Sequence, residues 1–194
     1  MTAPARGGGP PEPPDHRSAP SAAQPRGQPD STPVPATGRD RDTAGRPRSA
    51  RPRDDLGRPL PRGAAGTERV PDDLSLPPAE ALALAQQLLD EDRPFHAHEV
   101  LEASWKQAPP AERELWRGLA QVAVGLTHVQ RGNGRGAVAL LRRAALRVGE
   151  YAAAPPHGID AAGIAKASSR LADRIEAAGP AALTGPDLHI RLTR

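Results

Sequence analysis

The sequence contains no cysteine, which excludes disulfides, cysteine-ligated zinc, iron–sulfur clusters and thiol chemistry. Aromatic side chains are scarce, with one Phe, two Trp and one Tyr in 194 residues. None interleaves with the N-terminal arginines, so that stretch offers no stacking platform for single-stranded nucleic acid. Lysine is confined to Lys106 and Lys166, and the excess of Arg, Ala, Gly and Pro is that of a GC-rich bacterial coding sequence. No run approaches the ~18 consecutive apolar residues of a membrane-spanning helix. The opening Met1-Thr2-Ala3-Pro4-Ala5-Arg6-Gly7-Gly8 lacks the apolar centre of a signal peptide. No membrane association and a cytoplasmic location are therefore expected.

What is present is unevenly distributed. Residues 1–71 hold 15 of the 24 prolines, and residues 1–70 offer only Met1, Val34, Leu56, Leu60 and Val70 as large apolar side chains. Ordering a backbone costs roughly 1–2 kcal/mol per residue, and so few apolar groups cannot offset that. Residues 1–74 are therefore expected to be a disordered Pro/Arg-rich tail or linker, with a folded domain over 75–194. Twelve arginines face eight acidic side chains in residues 1–70, whereas the remainder is nearly neutral. The high isoelectric point thus belongs to the tail. It suggests at most a contact of the tail with nucleic acid or another polyanion, and no basic groove on the domain.

The domain reads as all-α. Leu82, Leu84, Ala85, Leu88 and Leu89 recur at helical spacing and predict a helix over 78–91. Pro94 opens a second helix over 94–107, which Pro109-Pro110 closes. The third, 110–131, is apolar most of the way round and should be central. Gly118 and Gly125 lie on one side of it, which suggests the close approach of another helix. Gly132-Asn133-Gly134-Arg135-Gly136 is a stop and turn. Helices follow over 135–150 and 160–178, then a segment over 185–194 whose alternation of Leu188, Ile190 and Leu192 suggests an extended chain. The expectation is a compact bundle of about five helices.

The chemistry concentrates in Phe95-His96-Ala97-His98-Glu99-Val100-Leu101-Glu102-Ala103-Ser104-Trp105. At 100° per residue, His98, Glu99, Glu102 and Trp105 all fall within about 80° of Phe95. The aromatic residues mark this arc as core-facing, so His98 and Glu102 need buried partners. On the third helix Arg117, Gln121 and His128 share a side beside the Gly118/Gly125 strip. If the second helix packs on that strip, these three meet His98 and Glu102. His96 and His157 are read as exposed.

Three uses of this cluster compete. One is a structural hydrogen-bond network that fixes the register of two helices. Another is a divalent metal on His98, Glu102 and His128, although no cofactor is expected from the pattern. In His98-Glu99-x-x-Glu102, a Glu stands where the zinc-protease motif requires its second His. The last is a small-ligand or acid–base site. No nucleophile with a supporting triad and no phosphate loop accompany it.

Phe95-x-x-His98-Glu99-x-Leu101-Glu102-x-x-Trp105 resembles the signature of the bacterial family called domain of unknown function 309. Gly118-Leu119-x-Gln121 through His128, and Gly132-Asn133-x-x-Gly136-Ala137 with Leu140-Leu141, resemble its next two blocks. Ala120 stands where the family usually carries a bulky Ile, and Arg117 where Gln is common. The resemblance covers about residues 80–150. It implies a small all-α bundle and singles out His98, Glu99, Glu102, Trp105, Gln121 and His128, without implying an activity. The expectation is a non-enzymatic scaffold or interaction module, with a protein partner or self-association. The alternative is a metal- or small-ligand-binding protein, an enzyme among the options, that uses His98 and Glu102.

Overall fold

The computed structural model describes residues 51–67, 70–71 and 74–194, which all fall within one compact unit. The expected disorder of residues 1–50 lies outside the described residues. Six α-helices are present among the described residues, with no strand: α1 (Pro78–Asp90), α2 (Pro94–Gln107), α3 (Arg113–Gln130), α4 (Gly134–Gly149), α5 (Ala161–Ala178) and α6 (Gly185–Leu188). No helix of the described residues is long and apolar enough to cross a membrane.

Local chemistry sets the ends of these helices. Proline occupies the first turn of α1 and α2, where a missing N–H costs nothing. Asn133 and Asp160 cap α4 and α5 by accepting from the N–H groups of Gly136 and Gly163. Gly132, at φ +73°, lets the chain leave α3 in the left-handed region. Helix α3 starts three residues later than Pro110 suggests. The chain first closes a turn, Glu112 N–H to the Pro109 carbonyl at 3.0 Å, and the helical ladder begins with Trp116 N–H to Glu112 at 3.1 Å.

Each of α1–α5 packs mainly on its neighbours in sequence. Helix α3 is central as expected, and it buries Leu115, Trp116, Leu119, Val122, Leu126 and Val129 along its length. A fully buried side chain of this size stabilises the fold by about 1.5–3 kcal/mol. The C-terminal segment is helical over 185–188 and extended beyond. Thr184 and Asp187 form a reciprocal capping box on α6. Ile190 and Leu192 are buried, and the Leu192 N–H donates to the Gln86 side chain (2.7 Å) while its carbonyl accepts from Asp160 N–H (3.0 Å). This strip therefore ties α1 to the start of α5.

Residues 51–67 lie in the stretch expected to be linker and are mostly exposed, with only Gly57 buried. Polar bonds compensate for the missing apolar groups. The Thr67 N–H donates to the Arg53 carbonyl (2.9 Å), Leu60 N–H to Pro52 (2.8 Å), and Arg131 of α3 donates to the carbonyl of Leu56.

Candidate functional site

Helix α2 is turned opposite to the expectation. Its buried residues are Pro94, His96, Ala97, Val100 and Leu101, an arc centred about 180° from Phe95. Ala97 and Val100 are small enough for the neighbouring helices to approach closely, and they decide the inward side. Phe95, His98, Glu99, Glu102 and Trp105 form the outward face and are only partly buried. His96, expected to be exposed, is 2% exposed and meets the Phe95 ring edge-on at 5.7 Å.

On the outward face the polar groups form a ladder along α2. His98 Nε2 lies 3.2 Å from one Glu102 oxygen, and the Lys106 ammonium lies 3.0 Å from the other. The hydrogen bond from His98, aided by Lys106, holds the Glu102 carboxyl at about 2 against the opposing effect of burial. The Phe95 and His98 rings are 6.0 Å apart, and the Arg117 guanidinium sits 5.6 Å above the Trp105 ring. Two buried nitrogens on this face, His98 Nδ1 and Trp105 Nε1, have no hydrogen-bond partner among the described residues. Among the described residues no three His, Asp or Glu side chains are grouped as metal ligands would be.

The expected partners on α3 lie elsewhere, because the glycine strip faces α4 and not α2. A Cβ on Gly118 would lie 2.7 Å from Val148, and one on Gly125 would lie 2.9 Å from Leu141. Gln121 accordingly meets α4, accepting from Arg147 at 3.1 Å. Arg147 also donates to Glu114 (2.7 Å), which takes a second bond from Arg117 (3.3 Å). Arg147, with Arg117 behind it, keeps the Glu114 carboxyl below its ordinary range. Arg117 thus links Trp105 of α2 to the α3–α4 seam, and it alone among the three expected partners touches the outward face.

His128 belongs to the turn between α3 and α4. Asn133 uses its side-chain oxygen to accept from Gly136 N–H (2.9 Å), so its amide nitrogen donates to His128 Nδ1 (2.7 Å). That bond requires an unprotonated Nδ1, and burial, with Arg131 nearby, lowers the His128 pKa accordingly. A Cβ on Gly136 would lie 2.5 Å from the same nitrogen. His128, Asn133 and Gly136 therefore form a helix-turn lock.

Several contributors were not visible in the sequence. Arg131 donates from Nε (2.8 Å) and Nη2 to the Leu56 carbonyl, and Gly57 lies close against the Phe95 ring. Glu99 Oε2 accepts from Val70 N–H at 3.5 Å, and Gln107 reaches the Leu74 carbonyl at 2.8 Å. The turn signature Asp54-x-x-Gly57 was available in the sequence, but nothing connected it to Phe95.

Fold and site together define an all-α bundle that turns an aromatic, His/Glu-bearing helix face outward. Residues 82–140 match the family model described as Domain of unknown function (DUF309). The chain is similar to the Uncharacterized protein YpuF of Bacillus subtilis (strain 168), with 34% identity over 85 residues. That match covers 42% of this chain and 48% of the relative, so the chain spans about half the length of the relative. No solved structure matches the chain significantly.

Proposed function

We propose that the protein is a non-enzymatic helical interaction module whose contact surface for a protein partner is the outward face of α2. The observation that carries this reading is the placement of Phe95 and Trp105. A chain with four aromatic residues sets two of them on one partly exposed helix face, with Arg117 stacked on the second. Trp and Arg are enriched among the residues that dominate binding at protein interfaces. The polar groups between them favour a contact surface over a metal centre. Both Glu102 oxygens are already engaged by His98 and Lys106, so a cation would have to displace an ammonium group.

The test places a photoreactive side chain at Lys106 of the full chain in native cells. The expected result is a discrete protein adduct that Trp105→Ala removes. Calorimetric titration with Zn2+, Mn2+ and Fe2+ addresses the metal alternative. Binding that His98→Ala abolishes would replace the contact-surface reading with a metal site.

A further inference from the structure

We propose that the corner formed by Phe95 of α2 and Arg131 of α3 is a docking site for a tight peptide turn, and that residues 53–58 of the chain itself are its intramolecular occupant. The proposal rests on the reading of this helix face as a contact surface and names the kind of segment it accepts.

The turn is built from its own bonds. The Asp54 carboxylate accepts from Leu56 N–H (3.1 Å) and Arg58 N–H (2.7 Å). Gly57 N–H donates to the Asp54 carbonyl (2.8 Å), Asp54 N–H to the Arg58 carbonyl (3.0 Å), and the Arg53 side chain to the Gly57 carbonyl (2.7 Å). None of these bonds involves the bundle. The turn therefore reaches its site already shaped, which lowers the ordering cost of docking.

Its tip meets the bundle through two contacts of different character. Gly57, at φ +73°, lies so close to Phe95 that a Cβ would sit 2.2 Å from ring carbons Cδ2 and Cε2. Only glycine fits there, for steric and conformational reasons alike. One residue earlier, the Leu56 carbonyl receives both Nε and Nη2 of Arg131. A partly buried guanidinium that bonds a carbonyl in this way fixes the position and direction of the turn. Burial lowers the Arg131 pKa, and Arg58 and Arg53 add to this while Asp54 opposes it. The recognised chemistry is thus a carbonyl followed by a left-handed glycine, with an aspartate three residues before that glycine.

The only Phe of the chain gives a unique reporter. In the full chain, Gly57→Val should unseat the turn and move the Phe95 ring resonances. A synthetic peptide of residues 51–67 should restore them, binding Gly57→Val at least tenfold tighter than the wild-type chain, whose own turn competes. The same peptide carrying Gly57→Val should not bind. Should Gly57→Val fold poorly, Arg131→Met releases the turn from the other side and should move the same resonances. Unmoved Phe95 signals in both variants, or a peptide that binds neither chain or both equally, would overturn the proposal. A failed titration beside an intact Trp105-dependent adduct removes the turn site alone. Restored Phe95 signals without any such adduct remove the contact-surface reading and retain the turn site.

Discussion

The α3–α4 seam and the outward face of α2 both carry residues of the segment that matches the family model, yet they are built differently. At the seam, Gly118 and Gly125 let the helices touch, and Gln121, Glu114 and Arg147 bond one another across the contact. At its end Asn133 satisfies His128 and caps α4 together. On the outward face, His98 and Glu102 bond along their own helix, and His98 Nδ1 and Trp105 Nε1 have no partner among the described residues. The difference separates residues bonded across two helices from partly buried residues bonded along one helix. Stability should respond to the first set and binding to the second.

Substitution at the seam should therefore cost most. Gly125→Val would press against Leu141, already 2.9 Å from the added Cβ position. Overpacking of this kind costs about 1–3 kcal/mol, and urea denaturation should show a lower midpoint. A midpoint unchanged by Gly125→Val would mean that the seam is looser than described. Asn133→Ala removes both the cap and the partner of His128, and loss of a cap alone costs about 1 kcal/mol. Asn133→Asp should recover part of that loss, because the side-chain oxygen that caps α4 is kept.

Acid should also act on the outward face, more weakly than these substitutions act on the seam. The Glu102 carboxyl lies near 2 in the folded chain against an ordinary value of 4.5. A lowered carboxylate pKa gives stability that is present above 4.5 and is lost as pH falls through 4.5 towards 2. Glu102 is about one-third exposed, and solvent screening reduces its share to roughly 1 kcal/mol or less. Glu102→Gln should flatten the pH dependence of the unfolding free energy between about pH 5 and pH 2 by that amount. An identical acid slope in the variant would show that the His98–Glu102–Lys106 ladder contributes nothing. The smallest effect is expected for His98→Ala at neutral pH, within about 0.5 kcal/mol, measured by the same denaturation. A loss above 2 kcal/mol would make His98 a structural residue and erase the contrast with the seam.

Helical periodicity made the architecture legible. The starts of α1, α2, α4 and α5 and the central place of α3 followed from proline, glycine and apolar spacing. Orientation was harder to read. On α2 the aromatic arc suggests the inward side, but helix–helix approach depends on small residues as much as on large ones, and Ala97 and Val100 face inward. The glycine strip did announce a close contact, but a wheel does not say whether the preceding or the following helix makes it. His98, Glu99, Glu102 and Trp105 do share a face with Phe95, as spacing required. Arg117 reaches that face, whereas Gln121 and His128 belong to the seam. The docked turn was hidden because backbone carbonyls and a glycine, which carry no hydropathy signal, make its contacts.

The most direct measurement is the yield of the Lys106 photo-adduct in Trp105→Ala relative to the wild-type chain, at a temperature where both are folded. A contact surface on the outward face of α2 predicts at least a tenfold loss. A yield unchanged by Trp105→Ala, or a pattern matching that from the same group at Lys166 on α5, would contradict it.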